Sequence, residues 1–170
     1  MINELDFEMF DVGMYGGSFN PLHNGHIKCI NKALFLCKEL HIIIGETPNM
    51  DDVDIDTKLS WFYTVFNSKK EKLVFHTLYD DRTDKTEYTL EKWKRDSKII
   101  KEMIGKPIDA VFCGMDYRYK DPNPYKLCYP GQTIIYFGRG DHISSSEFRK
   151  NPEEHKDWVP EIVYKSYERE

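Results

Sequence analysis

The sequence has no long apolar run and no excess of positive charge. A membrane-spanning helix needs about 20 consecutive apolar residues, and no stretch of this chain approaches that length. The first residues, MINELDFEMFDVG, are acidic and lack the basic and then apolar order of a secretory signal. The formal net charge of −5 gives no electrostatic basis for binding nucleic acid or a membrane surface. We therefore expect a cytoplasmic protein with neither as a partner, in which a local site holds any phosphate-bearing ligand.

The sequence also lacks the cysteine pattern of a disulfide framework or of a zinc site. Its four cysteines, at positions 29, 37, 113 and 128, form no CxxC pair and have no zinc-ligand spacing. Two of them fall inside apolar segments. We therefore predict reduced cysteines that mostly pack in the core, and no metal site among them.

Length and composition fit one globular domain. The chain has 170 residues, of which 40% are hydrophobic and 31% are charged. This length can bury a core but is too short for two ordinary domains. We predict a single domain over residues 1–170, with a core at about 10–150 and C-terminal helices at about 151–168.

Strand and helix patterns alternate along the chain. Short runs rich in β-branched or aromatic residues predict five strands, at 9–15, 40–45, 72–78, 108–114 and 132–138. Apolar residues at helical spacing predict helices between the first four strands, at 25–38, 57–68 and 86–104. The proline-containing segment 114–131 is typical of a long, partly irregular connection. The alternation predicts a Rossmann-like α/β fold, a doubly wound parallel five-stranded sheet with helices on both faces.

Glycine-rich segments follow three of the predicted strands. The first strand runs into Gly16-Gly17-Ser18, the fourth into Gly114-Met115-Asp116 and the fifth into Gly138-Arg139-Gly140. Open parallel sheets bind ligands beyond the carboxyl ends of their strands, where the strand order reverses. We therefore expect these segments to share one crevice.

The segment FNPLHNGH places two histidines at the start of the first helix. Pro21 disfavours a helical Asn20, so we expect an extended crossing of the crevice, followed by a helix capped by Asn24. His23 and His26 then flank a helix N-terminus, which attracts phosphate, and Gly25 leaves room for a ligand. By itself this histidine pair also fits capping or a metal pair, but no third ligand lies nearby in the sequence.

The segment ISSSEFR has the pattern of a capped helix start. Ser144 and Glu147 fit a capping box, and Phe148 fits a core position. The same helix start presents two hydroxyls, of Ser145 and Ser146, and the guanidinium of Arg149, which together suit a polyphosphate. The structural and the functional interpretation are compatible.

Together, GGSFNPLHNGH and ISSSEFR resemble the paired HxGH and ISSTxxR signatures of the nucleotidyltransferase superfamily, with Ser146 where the family usually has threonine. The segments ISSSEFRKNPEEHKDWVPEIVYKSY and TKLSWFYTVF, and the helix around Trp93, are similar to the nicotinamide mononucleotide (NMN) adenylyltransferase domain of the bifunctional regulator-type enzymes, which also carry a ribosylnicotinamide kinase. The resemblance covers roughly residues 10 to 167. The chain departs from it at Lys58, where arginine is expected, so the role of that position stays open.

This resemblance implies transfer of AMP from ATP to the phosphate of NMN, giving NAD and pyrophosphate, usually with Mg²⁺. It assigns charge stabilisation at the α-phosphate to His23 and His26, and the β- and γ-phosphates to Ser145, Ser146 and Arg149. Further ATP or substrate contacts are implied for Gly16, Gly17, Ser18, Phe19, Asn20 and Gly25, and adenosine or ribose contacts for Gly114 and Asp116. No protein nucleophile is evident, as expected for a transfer that depends on positioning and charge stabilisation.

Trp93 allows two interpretations. It shares a helical stripe with Leu90, Ser97, Ile100 and Ile104, which is typical of a core position. The related enzymes use a tryptophan in this region to stack on the nicotinamide ring, which implies a ligand contact instead. The sequence does not decide between them.

Other acceptors remain compatible with the first motif. They include nicotinate mononucleotide, phosphopantetheine and phosphorylated alcohols, with adenylyl or cytidylyl transfer. The RTEGISTS form usual in cytidylyltransferases that act on glycerol phosphate or choline phosphate is absent. A sensor that binds nucleotide without turnover is a further alternative, against which the intact histidine pair and Arg149 argue. Whether the chain forms a homo-oligomer is left open.

Overall fold

The computed structural model describes residues 9–84, 86, 88–138 and 142–168. Its strands are β1 (Phe10–Gly17), β2 (Cys37–Glu46), β3 (Leu73–Tyr79), β4 (Ala110–Gly114) and β5 (Thr133–Phe137). Its helices are α1 (Asn24–Leu36), α2 (Ile55–Val65), α3 (Leu90–Ile104), α4 (Pro124–Cys128), α5 (Ser145–Lys150) and α6 (Glu161–Lys165). Short 3-10 turns cover Asn67–Lys69, Met115–Tyr119 and Lys156–Trp158. The predicted order of strands and helices is confirmed.

The five strands form one parallel sheet in the order β3-β2-β1-β4-β5. Tyr15 of β1 pairs with Ile42 of β2 on one side and with Phe112 of β4 on the other. The strand order therefore reverses at β1. A crevice opens beyond the carboxyl ends of β1 and β4, which is where such sheets bind ligands.

Helices cover both faces of the sheet, so the predicted doubly wound α/β fold is confirmed. On one face, α1 and α2 bury Ile30, Trp61 and Phe62 in a core that also contains Phe148 of α5 and Val163 of α6. The C-terminal helices thus pack on the same core as α1 and α2. The other face is covered by α3 and α4, whose buried residues include Ile100, Ile104, Tyr125 and Cys128.

Helix α1 ends two residues earlier than the apolar pattern predicts. Cys37 continues the helical stripe of Ile30 and Leu34, but it has extended backbone angles and begins β2, where it pairs with Phe10. A buried position is needed both at the end of the helix and at the start of the strand, so the pattern alone cannot separate them.

The four cysteines are free thiols, three of them buried, as predicted. Burial raises the pKa of the Cys113 thiol to about 12, which keeps it protonated at neutral pH. No helix of the described part of the chain is long and apolar enough to cross a membrane.

Candidate active site

Helix α1 is capped by a reciprocal pair of histidines. His23, rather than the predicted Asn24, is the N-cap residue, and its Nδ1 accepts hydrogen bonds from the backbone N–H groups of Gly25, at 3.0 Å, and His26, at 3.3 Å. The Nδ1 of His26 in turn accepts from the backbone N–H of His23 at 3.2 Å. Each imidazole therefore satisfies backbone donors that the first turn of a helix otherwise leaves without partners.

These bonds fix the tautomer of both histidines. In a neutral imidazole one ring nitrogen donates and the other accepts, and here both Nδ1 atoms accept. The proton of His23 and that of His26 consequently reside on Nε2. The two rings stack with their centroids 3.7 Å apart and an interplanar angle of 16°. Two imidazole N–H groups thus belong to the residues at the positive end of a helix, and such donors suit phosphate oxygens.

The segment before the histidines turns instead of running extended. Phe19 has a left-handed backbone with φ of 49°, and residues 20–21 form a turn. The Phe19 ring is 1% exposed and packs edge-on against His26 and Phe62, with centroid distances of 4.9 Å to each. Burial of this ring offsets the backbone strain and holds the His26 ring in place.

The ISSSEFR segment reaches this turn from the other end of the chain. Ser144 caps α5 and accepts from the backbone N–H of Glu147 at 3.1 Å, which is the first half of the predicted capping box, whereas the Glu147 carboxylate pairs with Lys150. Ser145 Oγ donates to the Pro21 carbonyl at 3.3 Å, and Arg149 Nη1 donates to the Asn20 carbonyl. The two sequence motifs therefore meet in space.

A cavity of about 260 Å³ lies beside the glycine segment. Gly16, Gly17 and Ser18 line it from the end of β1, and Trp93 lines it from the first turn of α3. Its aromatic wall is completed by Tyr88, Tyr117, Tyr125 and Tyr129. The half-buried Trp93 ring meets Tyr88, Tyr117 and Tyr125 edge-on, with centroid distances of 5.3, 5.9 and 4.9 Å. These rings form a pocket suited to a flat aromatic group.

The tyrosines of this wall are neutral. Burial raises the pKa of Tyr88, Tyr117 and Tyr125 above the usual value for a phenol. Their hydroxyl groups therefore take part in hydrogen bonds as O–H groups and not as phenolates.

Two buried carboxylates also line the cavity. Asp80 is paired with Arg82 Nε at 3.1 Å and with the Lys92 ammonium, and it also accepts from the Arg82 backbone N–H at 3.0 Å. Asp96, which is 2% exposed, accepts a hydrogen bond from the Tyr88 hydroxyl at 2.8 Å. The charges of Asp80 and Asp96 are thus held at the aromatic end of the cavity.

Lys58 holds the glycine segment in place through its buried ammonium group. Its buried ammonium donates to the Ser18 carbonyl at 2.7 Å, to the Gly45 carbonyl at 2.9 Å and to Asp52 Oδ2 at 2.7 Å. Burial lowers the pKa of Lys58, and the bond to Asp52 opposes that shift. The lysine therefore ties the end of β1 to the end of β2.

The predicted site residues lie in different parts of this region. The histidine pair, Asn20, Ser145 and Arg149 lie around the turn at 20–21, and Gly16, Gly17, Ser18 and Trp93 line the cavity. Gly114 is the last residue of β4 and Asp116 lies just beyond it; an added Cβ on Gly114 would lie 2.5 Å from Asp116 Oδ1, and neither residue lines the cavity. Ser146 Oγ lies 3.4 Å from Ser144 Oγ. Arg139 and Gly140 lie outside the described residues.

Sequence reasoning missed most of the cavity wall. Asp80, Arg82 and Tyr88 lie in or beside the polar segment YDDRTDKTEY, and Asp96 follows Trp93 by one helical turn. The available signal was the position of this segment beyond the carboxyl end of β3. Within the described part of the chain, no group of three or more His, Cys, Asp or Glu side chains is arranged to hold a metal ion.

Three relatives are similar in sequence. The probable nicotinate-nucleotide adenylyltransferase of Thermosipho melanesiensis is 30% identical over 125 residues, which is 69% of this chain and 62% of that protein. The phosphopantetheine adenylyltransferase of Mycoplasma mycoides subsp. mycoides is 25% identical over 125 residues, covering 73% of this chain and 81% of that protein. The trifunctional NAD biosynthesis/regulator protein NadR of Escherichia coli is 22% identical over 165 residues, covering 89% and 39%. The chain thus spans less than two thirds of the length of the first and the third.

Solved structures share the fold. A bifunctional NMN adenylyltransferase/ADP ribose pyrophosphatase from Francisella tularensis, complexed with AMP and a manganese ion, has a TM-score of 0.66 at 20% identity, over 91% of this chain and 44% of that one. NadR protein in complex with NAD and AMP-PNP has a TM-score of 0.65 at 18% identity, over 92% and 47%. The cytidylyltransferase-like family model matches residues 14–151. The chain therefore belongs to the cytidylyltransferase-like family, within the nucleotidyltransferase superfamily.

Proposed function

We propose that the protein transfers AMP from ATP to NMN, forming NAD and pyrophosphate. The observation that supports this most directly is that one short segment, residues 16–19, borders both the aromatic cavity and the histidine pair. Gly16, Gly17 and Ser18 line the aromatic cavity, and the next residue, Phe19, packs against His26 of the histidine pair. An acceptor ring in the cavity would therefore have its phosphate close to a nucleotide at the start of α1.

In the proposed reaction, a phosphate oxygen of NMN attacks the α-phosphorus of ATP. A new P–O bond forms, the bond from the α-phosphorus to the bridging oxygen breaks, and pyrophosphate leaves with the electron pair of that bond. Negative charge grows on the leaving pyrophosphate and is redistributed on the α-phosphate. The Nε2–H groups of His23 and His26 would donate to these oxygens, which stabilises the transition state without a protein nucleophile.

The α5 end of the site would hold the β- and γ-phosphates. Ser145 and Ser146 lie in the first turn of α5, and Arg149 follows about one turn later. The Arg149 guanidinium carries five N–H donors. One of them, on Nη1, donates to the Asn20 carbonyl. The remaining donors of Arg149 are sufficient for a bidentate contact with a phosphate.

ATP would enter as its Mg²⁺ complex. Since no three-ligand group of His, Cys, Asp or Glu is present among the described side chains, the ion would be held mainly by the phosphates themselves. The protein's own contribution would be to position the polyphosphate and to neutralise its charge through Arg149 and the histidines. NAD would be the product released with pyrophosphate.

The choice of NMN depends on the cavity. Trp93 and four tyrosines line a space suited to a pyridine ring, which favours a pyridine mononucleotide over the flexible chain of phosphopantetheine. Nicotinate mononucleotide has the same ring and is the second candidate, and the Thermosipho relative is named for it.

An acceptor panel tests this function. The purified protein is incubated with ATP, Mg²⁺ and one acceptor at a time, namely NMN, nicotinate mononucleotide, phosphopantetheine or a phosphorylated alcohol, and pyrophosphate release is measured. We expect release with NMN and formation of NAD in equal amount. Release only with phosphopantetheine or an alcohol phosphate would overturn the assignment, and ATP binding without release for any acceptor would indicate a sensor.

A further inference from the structure

Tyr88 and the buried Asp96 form a hydrogen-bonded pair in the wall of the cavity. The Tyr88 hydroxyl donates to Asp96 Oδ2 at 2.8 Å, and both residues line the cavity next to Trp93. Asp96 is 2% exposed, and its Oδ1 accepts no hydrogen bond from any described residue, the nearest cation being Arg95 Nε at 3.9 Å. The charge of Asp96 is therefore weakly compensated in comparison with that of Asp80.

The direction of this bond determines what Tyr88 offers to a ligand. Burial and the neighbouring carboxylate keep the Tyr88 phenol protonated, because both raise its pKa. Its single proton is committed to Asp96, so its oxygen presents only lone pairs to a further partner. This end of the cavity accordingly presents a hydrogen-bond acceptor to a ligand.

The other charged groups at this end are paired with one another. The Asp80 carboxylate is neutralised by Lys92 and by Arg82 Nε, at 3.1 Å. The Arg82 guanidinium lies over the Tyr88 ring, 4.5 Å from its centroid, and so partly shields Tyr88 on one face. Arg82 is the cation that a carboxylate-bearing acceptor would need, and it is already paired with Asp80.

We propose that the Tyr88–Asp96 pair selects the acceptor by the substituent on its pyridine ring, accepting an N–H from an uncharged carboxamide and disfavouring a carboxylate. This inference rests on the proposed transfer to a pyridine mononucleotide. A carboxamide N–H satisfies the acceptor that Tyr88 presents. A carboxylate offers no proton to Tyr88 and places a second negative charge beside Asp96, and like charges brought close together disfavour binding.

The test compares kcat/KM for NMN and for nicotinate mononucleotide in four proteins. They are the wild type, Asp96→Asn, Tyr88→Phe and the control Glu91→Gln, which removes an exposed carboxylate in the first turn of the same helix. We expect the wild type to prefer NMN by roughly 100-fold or more, because a site built to hydrogen-bond a substrate group strongly rejects an analogue that lacks it. Asp96→Asn should lower that ratio by about tenfold or more through a gain with nicotinate mononucleotide, and Glu91→Gln should leave it unchanged.

Tyr88→Phe keeps the inference testable if Asp96→Asn does not fold. Loss of the hydroxyl should lower kcat/KM for NMN by about tenfold and affect nicotinate mononucleotide less, with KM for ATP unchanged. A wild type that prefers nicotinate mononucleotide, or a ratio unchanged in both variants while NMN is still converted, overturns the inference and leaves adenylyl transfer intact. Failure of both pyridine mononucleotides as acceptors, with pyrophosphate released for another acceptor, overturns the proposed function and this inference together.

Discussion

Lys58 Nζ lies 2.7 Å from Asp52 Oδ2, and the two side chains are only 0% and 1% exposed. The same ammonium holds the carbonyls of Ser18 and Gly45, while Asp52 also accepts from the Thr47 hydroxyl at 2.7 Å. A buried ion pair is stable only when its remaining hydrogen-bonding capacity is filled, and here it is. The pair thus fixes the glycine segment of the cavity relative to β2.

We expect Lys58→Met to destabilise the protein by about 3–5 kcal/mol, because it leaves the Asp52 charge buried without its partner. Lys58→Arg keeps the charge but adds volume in a packed site, so we expect a smaller loss of about 1–3 kcal/mol. Urea unfolding measures both. The control is Lys70→Met, an exposed lysine, which should change stability by less than about 0.5 kcal/mol. Equal stabilities of the two methionine variants would contradict the role of Lys58.

His26 should affect turnover more than binding. Loss of one donor to developing charge typically lowers kcat by about 10²–10³-fold, and we expect that range for His26→Ala. Because His26 also caps α1, melting temperature and ATP affinity are measured on the same preparation. Near-normal kcat in a folded variant would remove His26 from the reaction.

Arg149 should affect ATP binding in the ground state. We expect Arg149→Ala to raise KM for ATP by about tenfold or more, since its guanidinium is proposed to meet the tail phosphates before transfer begins. Lys150→Ala is the matched control, because Lys150 is an exposed neighbour whose described ion pair is with Glu147. If the two variants had the same KM for ATP as the wild type, Arg149 would be a structural link to Asn20 and nothing more.

A histidine pair away from the proposed site should make stability depend on pH. His76 Nε2 lies 2.7 Å from His41 Nδ1, and His41 Nε2 lies 2.9 Å from Glu39 Oε2, which also pairs with Lys106 at 2.9 Å. Burial, and secondarily the nearby His41, lower the pKa of His76 below its ordinary value of 6.5. The unfolded chain then binds more protons than the folded one just below that pH, so stability falls there.

We therefore expect the stabilising contribution of neutral His76 to be complete above about pH 6.5 and to be lost as the pH falls below it. The pKa of Glu39 is also lowered, but from 4.5, so its contribution is lost only in more acidic solution. Melting temperatures at about pH 5.5 and 7.5 measure the effect. His76→Gln should flatten the difference, whereas His155→Gln, which alters a histidine stacked on Trp158, should not. An unchanged difference in His76→Gln would contradict this prediction.

The fold could be predicted because the sheet is buried on both faces. Strands such as LHIIIG are then continuous apolar runs, and the helices between them have one apolar stripe. Boundaries are less predictable where one buried residue serves two elements, as Cys37 does. The turn at Asn20 was also missed, because burial of the Phe19 ring, and not the local preference before Pro21, sets the backbone there.

The phosphate end of the candidate site was predictable from two short motifs, whose contact spans 124 positions between Pro21 and Ser145. The cavity was not. Asp96 and Tyr88 have the sequence pattern of ordinary surface residues, and only tertiary packing brings the carboxylate and the phenol together in the wall of the cavity. Position beyond the end of β3 indicates a region, but not which of its polar side chains face inward.

Trp93 is where the two interpretations of the sequence can be separated. The ring is half-buried, touches three tyrosines edge-on and lines the cavity, so its removal opens the wall of the site as well as part of the core. We expect Trp93→Ala to raise KM for NMN about tenfold, which corresponds to ~1.4 kcal/mol, with KM for ATP close to wild type. Trp93→Phe retains a stacking ring and should recover most of the affinity.

A purely structural tryptophan would show the opposite pattern, a loss of about 3–5 kcal/mol in unfolding free energy with KM for NMN unaffected. Melting temperature and both KM values, measured on one preparation of each variant, distinguish the ligand-stacking role from the core role. Only a ring that faces the ligand changes KM for NMN when it is removed.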